Sequence, residues 1–503
     1  MPASNQTCFL VLDAGSGAGR AMVFNQTGEM LAQSYREWAY QSVTGIPDAV
    51  SFDPDIFLKT LLDAAKQVIT RSGISPTWIT GITSTCLREG VVFLDSDGKE
   101  LYCGPNFDGR AERKGKQLET SLGAELYRLS GTYPPAYGYL ARLMWFRTHQ
   151  PETFEKIAKV LEMGGWITYR LTGALLAEPT LAGASGVFSI AEGRWAKDIF
   201  QSLGMDPALL PEIQTAGSLV GNLLPEIASI IGVPANTPVF LGGGDSHCAL
   251  LGMGCLHSGD TGIIAGTTSP AMQITTRPIL DKEMRTWSSN YLIHDLWVLE
   301  SNAIVTGLAY RWLRDCLFPG SDFSEIEEEL AGTAPGSKGI QAFLGAELMD
   351  MKHYTGQWQG GFRFPVPPSE TTRGDFARAV IESNAYAVRA NINQIESITG
   401  MPARGVHICG GQMESDIIPH ILTDIINKPA MIHKGQRAAL GAAMLAALGC
   451  GLYPSLEQAV ERMRGKPEEM TPDSGRSRVY EPLFHEWMQV YQQIKYKKEI
   501  INA

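Results

Sequence analysis

The stretch Phe9-Leu10-Val11-Leu12-Asp13-Ala14-Gly15-Ser16-Gly17-Ala18-Gly19-Arg20-Ala21-Met22-Val23-Phe24 decides the fold. Phe9–Leu12 is apolar and β-prone, a glycine-broken segment runs from Asp13 to Gly19, and Ala21–Phe24 is apolar again. The order is strand, tight turn, strand, and Asn25–Gly28 then turns the chain into a further strand at Glu29–Ala32. The glycines are not a Rossmann fingerprint: their spacing is G-x-G-x-G, and β-prone residues follow where that motif needs a helix. No G-x-x-x-x-G-K-[ST] occurs either, which excludes a P-loop. A hairpin turn with bare backbone can wrap a phosphate with its own N–H groups, and Asp13 at the strand end would reach a phosphate-bound Mg²⁺ through water. A tight hairpin with no ligand reads equally well from this segment alone.

The pattern restarts at Gly262. Gly262–Ala265 is strand-like, Gly266–Ser269 is a small-residue turn, and Ala271–Ile274 is strand-like again. One such turn per half predicts two related α/β domains facing each other across a cleft. A third small-residue turn, Gly410-Gly411-Gln412, follows the strand-like Val406–Cys409. Helical spacing marks Asp55–Ser72, with Ile56, Phe57, Leu61, Leu62, Ala65, Val68 and Ile69 on its apolar face. Helices are also expected at 111–118, 141–148, 155–160, 374–399 and 438–448, a hairpin at 91–102, and a terminal helix at 478–500 acting as a structural cap.

Composition narrows the partners. Among 503 residues, 42 Lys and Arg face 53 Asp and Glu, a net charge of −11. That excludes the cationic field needed for nucleic acid or an anionic membrane surface. Phosphate groups on a ligand must therefore be held locally, by backbone N–H groups. The 53 glycines exceed the usual ~7% without any Gly-X-Y period, so they answer to particular backbone positions. Eight dispersed cysteines lack zinc-site spacing, and Met1–Cys8 carries neither a basic cluster nor an apolar core, so a cytoplasmic protein with reduced thiols is expected.

Three places could carry chemistry. Gly242-Gly243-Gly244-Asp245 follows the strand-like Pro238–Leu241, and a carboxylate there could take a proton from a hydroxyl that attacks phosphorus. The alternative is an Asp that caps the helix 246–254. Arg88-Glu89 ends the strand-like Ile82–Leu87; guanidinium donors and carboxylate acceptors bracket vicinal hydroxyls, or the two form a solvated pair. Asp108 and Arg110 allow the same polyol reading more weakly, and Tyr137 is either a core or a site residue.

Taken together, DAGSGAGR (13–20), LREG (87–90), NFDGRA (106–111), YRLTG (169–173), GGGDS (242–246), AGTTS (265–269), TGLAYRWLRD (306–315), GGQ (410–412) and RAALGAAMLA (437–446) resemble the FGGY carbohydrate kinase family. The resemblance runs from about residue 9 to 453. It implies an α/β fold of two actin-like ATPase (ribonuclease H-like) domains flanking a catalytic cleft. The first would span 7–255 and the second, nucleotide-binding one 256–455, followed by a helical extension at 456–503. By the same resemblance the chain transfers the γ-phosphoryl group of ATP to a sugar or polyol hydroxyl with Mg²⁺. Asp245 would be the base; Ser16, Gly17, Ala18 and Arg20 the first phosphate turn; Gly266 and Thr267 the second. Gly307, Arg311, Gly410 and Gly411 would border the nucleotide, Asp13 and Asp245 would serve the metal, and Arg88, Glu89, Tyr137, Asp108 and Asp245 the substrate. A homodimer is likewise implied by analogy only.

Within the family, LREGVVF, NFDGRA, TGLAYRWLRD and APGSKG (334–339) are most similar to autoinducer-2 kinases, which implies a linear five-carbon dihydroxydione as substrate. Tyr137 matches glycerol kinases better and keeps a glycerol- or erythritol-like polyol open, with a pentulose as a further option. Three departures stand out: Gly165 where the family has Asp, Met413-Glu414 after Gly411-Gln412, and Ser246 in place of Gln or Asn. They leave room for a different class of protein, a nucleotide-binding regulator that has lost catalysis.

Overall fold

A computed structural model describes residues 7–354, 359–365 and 370–501; the side chains of Tyr137 and of residues 496–501 lie outside that description. Its frame is two seven-stranded sheets with matching plans. In the first, the strands run Leu219–Asn222, Pro238–Phe240, Ile79–Cys86, Cys8–Ala14, Ala18–Asn25 and Met30–Glu37, and Gly243–Gly244 also pairs with Ile79–Cys86. The second runs Trp287–Asn290, Trp297–Asn302, Pro270–Thr275, Thr261–Ile264, Val406–Cys409, Ala430–His433 and Glu468–Met470. Each begins as an antiparallel meander and continues with parallel strands added beside its first strand. The repeat read from the two glycine-broken hairpins is therefore a repeat of topology.

Residue alternation explains how the first sheet is covered. Leu10, Leu12 and Val23 face one way, into a core with Phe57, Leu61 and Val68 of the helix Pro54–Ser72. Phe9, Val11, Met22 and Phe24 face the other way, onto the helices Asp245–Met253 and Arg437–Gly449. Strand side chains point to opposite faces in turn, so an apolar run buries both. Met272, Ile274 and Val298 of the second sheet join this second core, so the two helices lie between the sheets. Ile56, read as part of the apolar face of its helix, is instead 58% exposed.

Two further expectations change. Residues 155–160 are not a helix: a short helix covers Pro151–Phe154, and Lys159–Glu162 is a strand paired with Val91–Leu94. A short apolar run fits either period, and here pairing with the 91–104 hairpin decides it. The segment 456–503, expected as a helical extension, includes a strand, and its terminal helix, expected at 478–500, begins at Ser474. Glu468–Met470 completes the edge of the second sheet, and Tyr480, Phe484, Trp487 and Tyr491 of the helix Ser474–Ile501 are buried in the core of that domain. Among the described residues no helix is long and apolar enough to cross a membrane.

The domains touch extensively on one side. Ser288 N–H donates to Gly131 O at 2.9 Å, Trp287 Nε1 to Tyr133 O at 2.6 Å, and Asn290 Nδ2 and Trp297 Nε1 both to Ile190 O, at 3.0 and 2.8 Å.

Candidate active site

Asp245 owes its place to the three glycines before it. After Pro238–Phe240 the chain runs along Ile79–Cys86, pairing Gly243 with Thr85 and Gly244 with Cys86. A Cβ on Gly242 would stand 1.5 Å from Ser84 O, so only a bare backbone passes. Asp245 is the first residue of its helix, and the cap position belongs to Gly244. It thus lies one residue past the cap position, and its carboxylate still accepts an N–H of the helix's first turn. One carboxylate oxygen, Oδ1, accepts from Ser246 N–H at 2.7 Å and from Ser246 Oγ at 3.2 Å. Burial holds the carboxyl above its ordinary range, against the opposing pull of Arg88.

Arg88 and Glu89 follow the end of Ile79–Cys86, and Glu89 sits in the left-handed region at φ 63°, a conformation non-glycine residues seldom adopt. Their side chains are 12% and 10% exposed, which rules out a solvated pair. The Arg88 guanidinium instead reaches across to the second domain: Nη1 donates to Glu300 Oε2 at 2.8 Å and Nη2 to Glu300 Oε1 at 3.1 Å. It lies over the Trp287 ring, 5.4 Å from the centroid, and its Nε is 3.9 Å from Glu89 Oε1. Burial pushes the Glu89 carboxyl up to about 7; Arg88 opposes this, and the negative charges of Glu300 and Asp245 add to it. Arg142 donates to Glu89 O at 3.0 Å and to Pro105 O at 2.9 Å. That ties the loop of Asn106, whose Oδ1 is buried without a partner, beside Glu89.

Asp108 and Arg110 do not serve this site. Asp108 Oδ1 accepts from Val50 N–H, and Oδ2 accepts from Arg110 Nε at 2.6 Å and from Tyr102 Oη. Its side chain is fully enclosed, and the Arg110 guanidinium lies over Tyr102. With both oxygens engaged, this pair holds a loop together rather than a polyol. Tyr137 ends the short turn Pro135–Tyr137, and its side chain lies outside the described residues.

The first turn is tighter than the sequence suggests. Strands continue to Ala14 and resume at Ala18, leaving Gly15-Ser16-Gly17 as the bend, with Gly15 N–H bonded to Ala18 O. Ser16 and Gly17 are exposed, and their N–H groups donate to no protein acceptor among the described residues. Ala18 is buried in the strand. Asp13 stands opposite Arg20 in register, and Arg20 Nη1 donates to Asp13 Oδ2 at 3.1 Å. Burial lifts the Asp13 carboxyl to about 6; Arg20 opposes the rise and Asp245 adds to it, so the two aspartates act on each other.

In the second turn Thr267 and Thr268 are exposed, while Gly266 N–H is bonded to Thr268 O and Ile264 O. Gly307, Gly410 and Gly411 converge here. A Cβ on Gly307 would stand 2.1 Å from Gly266 O; Gly410, at φ 110°, abuts Ala265; Gly411 faces open space. Gln412 Nε2 donates to Gly266 O at 3.0 Å. Arg311 is exposed on the helix Gly307–Leu317, and its charge is felt at Tyr35 of the first domain, over whose ring Arg20 lies. The helix beside the second turn thus lies within electrostatic reach of the strand that flanks the first turn.

The departures also find their places. A Cβ on Gly165 would meet Leu176 O at 2.5 Å, so no side chain fits there. Met413 is buried, and Glu414 Oε1 accepts from Gly435 N–H. Sequence reading missed Glu300, Trp287 and the contact of His247 Nε2 with Ser289 Oγ at 2.8 Å. The signal for Glu300 is a charged residue directly after the apolar run Trp297-Val298-Leu299.

The N-terminal domain of the FGGY family of carbohydrate kinases matches residues 8–252, and the C-terminal domain of that family matches residues 262–450. An autoinducer-2 kinase of Escherichia coli is 26% identical over 98% of this chain and 95% of its own length. A Bacillus subtilis protein described as a sugar kinase is 30% identical over 88% of this chain and 89% of its own. Among solved structures, a xylulose kinase from Lactobacillus acidophilus superposes with a TM-score of 0.86 at 18% identity, covering 97% of this chain and 98% of the other.

Proposed function

The chain belongs to the FGGY family of carbohydrate kinases and is an ATP-dependent carbohydrate kinase, and we propose that it phosphorylates a terminal hydroxyl of a short, uncharged, linear sugar-like compound. An autoinducer-2-like dihydroxydione is the first candidate, because the relatives just named include an autoinducer-2 kinase across nearly the full length. What carries the reading is the convergence of Asp245, Arg88 and Glu89 in one largely enclosed cluster between the two domains, each of which presents an exposed turn.

Each residue has a task in that reading. Asp245 takes the proton of the attacking hydroxyl: Ser246 fixes Oδ1, Oδ2 is left for substrate, and burial raises its basicity toward the working pH. Arg88 Nε and the Glu89 carboxyl bracket vicinal hydroxyls. The free N–H groups of Ser16 and Gly17 hold phosphate oxygens, opposite Thr267, Gly307, Arg311, Gly410 and Gly411. Asp13 fits a Mg²⁺ role, since a buried carboxyl pressed by a second carboxylate gains from a nearby divalent charge. Mg²⁺ keeps water and phosphate oxygens as ligands, so one or two carboxylates suffice, and when bound it neutralises charge on the phosphates. The eight free cysteines, six of them buried, suit a reducing cytoplasm.

A coupled ADP-release assay over short polyols, pentuloses and dihydroxydiones tests the substrate class. Substrate-stimulated ADP release is expected; ATP binding with no such stimulation by any of them favours a regulator instead. Asp245→Asn should abolish transfer while ATP binding stays near the parental value, and turnover retained in that variant would refute the base.

A further inference from the structure

The Arg88–Glu300 pair joins two domains inside the substrate cluster. We propose that Glu300 is a specificity-determining residue: by occupying the fork of the Arg88 guanidinium from the second domain, it makes the pocket select uncharged polyhydroxyl compounds and reject sugar acids. The inference rests on the polyol reading above and deepens it.

A guanidinium in a sugar pocket is by geometry a carboxylate receptor, because its end-on N–H pair matches the two oxygens of a carboxylate. Here the end-on pair, one N–H from each Nη, is already taken, at 2.8 and 3.1 Å, by a side chain only 2% exposed. Glu300 is held from behind. It lies in Trp297–Asn302, Asn302 Nδ2 approaches its Oε1 at 3.4 Å, and Ser301 is anchored by Asn391 and Gln394. Trp287, the cross-strand neighbour of Glu300, covers the guanidinium face. What Arg88 leaves to a ligand is its Nε side, next to Glu89 and Asp245. Three carboxylates, Glu89, Asp245 and Glu300, thus surround the Arg88 charge, and a substrate carboxylate would add a fourth.

The test uses matched pairs that differ only in one terminus, erythritol with erythronate and xylitol with xylonate. Their binding is read by thermal shift and their turnover by ADP release, with the full chain. The parent should respond to polyols and not to aldonates. Glu300→Ala frees the fork, and the aldonate-to-polyol ratio should rise at least about 10-fold. Glu300→Gln, which keeps the volume and half blocks the fork, should fall between. Arg88→Met/Glu300→Ala should lose the aldonate gain, an outcome that a purely structural role for Glu300 does not produce. A parent that answers neither member of any pair refutes the polyol reading. Failure of both Glu300 variants to gain aldonate binding, judged by the thermal shift alone, overturns the role of Glu300 whatever the polyol arm gives.

Discussion

Gly17→Ala separates a phosphate cradle from a plain hairpin. A Cβ at Gly17 meets nothing within 4 Å, and its φ lies outside the left-handed region. The folded protein therefore accepts alanine without strain, and the reduced freedom of the unfolded chain should stabilise it by about 0.4–1 kcal/mol. If the Ser16 and Gly17 N–H groups hold phosphate oxygens, the new methyl occupies the space the phosphate needs. Losing two hydrogen bonds to a charged group, at about 1.5–3 kcal/mol each, removes at least about 10²-fold from kcat/KM for ATP. The assay is ADP release at saturating sugar, paired with thermal melting. Gly361→Ala serves as control: a Cβ there also meets nothing, so it should raise the melting temperature to a similar degree and leave the ATP kinetics unchanged. Unchanged ATP kinetics in Gly17→Ala would reduce the turn to a hairpin. A lowered melting temperature would refute the inference that its surroundings are open.

Gly307→Ala should behave oppositely: its Cβ would stand 2.1 Å from Gly266 O, so the second turn must shift, costing about 1–3 kcal/mol. Melting temperature and ATP affinity should fall together, and retention of either counts against the packing argument. Glu162→Gln reports on a carboxyl whose two oxygens are buried without partners and which burial, reinforced by Glu178, pushes up to about 8. A carboxyl raised in the folded state binds its proton more tightly there. Its contribution to stability is whole below the ordinary glutamate range and is lost as pH rises toward 8. The parent should thus lose stability between about pH 5 and 8 relative to Glu162→Gln, by on the order of a few kcal/mol. A melting-temperature gap that does not widen over that interval rejects it.

The turns were legible because glycine punctuation is local: Gly266–Ser269 joins two strands as expected, Gly410–Gln412 breaks the chain after Val406–Cys409, and the bend within Asp13–Gly19 narrows to Gly15–Gly17. The three-glycine approach to Asp245 was legible for the same reason. Partnership across domains was not. Nothing near Arg88 in the chain announces Glu300, 212 positions away, and the solvated-pair reading failed because it considered only the adjacent Glu89. Asp108 misled in the reverse sense: its residue type suits a polyol, but Val50, Tyr102 and Arg110 consume its oxygens. Residue 155–160 was ambiguous because a strand paired to a distant hairpin and one helical turn share the same apolar pattern.

The glycine excess has two causes that composition merges. Gly242, Gly307 and Gly410 are bare because protein backbone lies against them, whereas Gly17 and Gly411 are bare with nothing within reach of a Cβ. The same distinction explains why the base is better fixed than the turns. Its helix, Asp245–Met253, meets Arg437–Gly449 through bare backbone on both partners: a Cβ on Gly252 would stand 2.0 Å from Arg437 O, and one on Gly441 would stand 1.9 Å from Cys248 O. Closely packed interiors resist displacement, so this shared core holds Asp245 on the side where the domains already touch. The two turns proposed for phosphate lie at exposed loop tips, with little packing around them. In the proposed reading, the chemistry then needs only that the turns bring phosphate to an Asp245 that stays still.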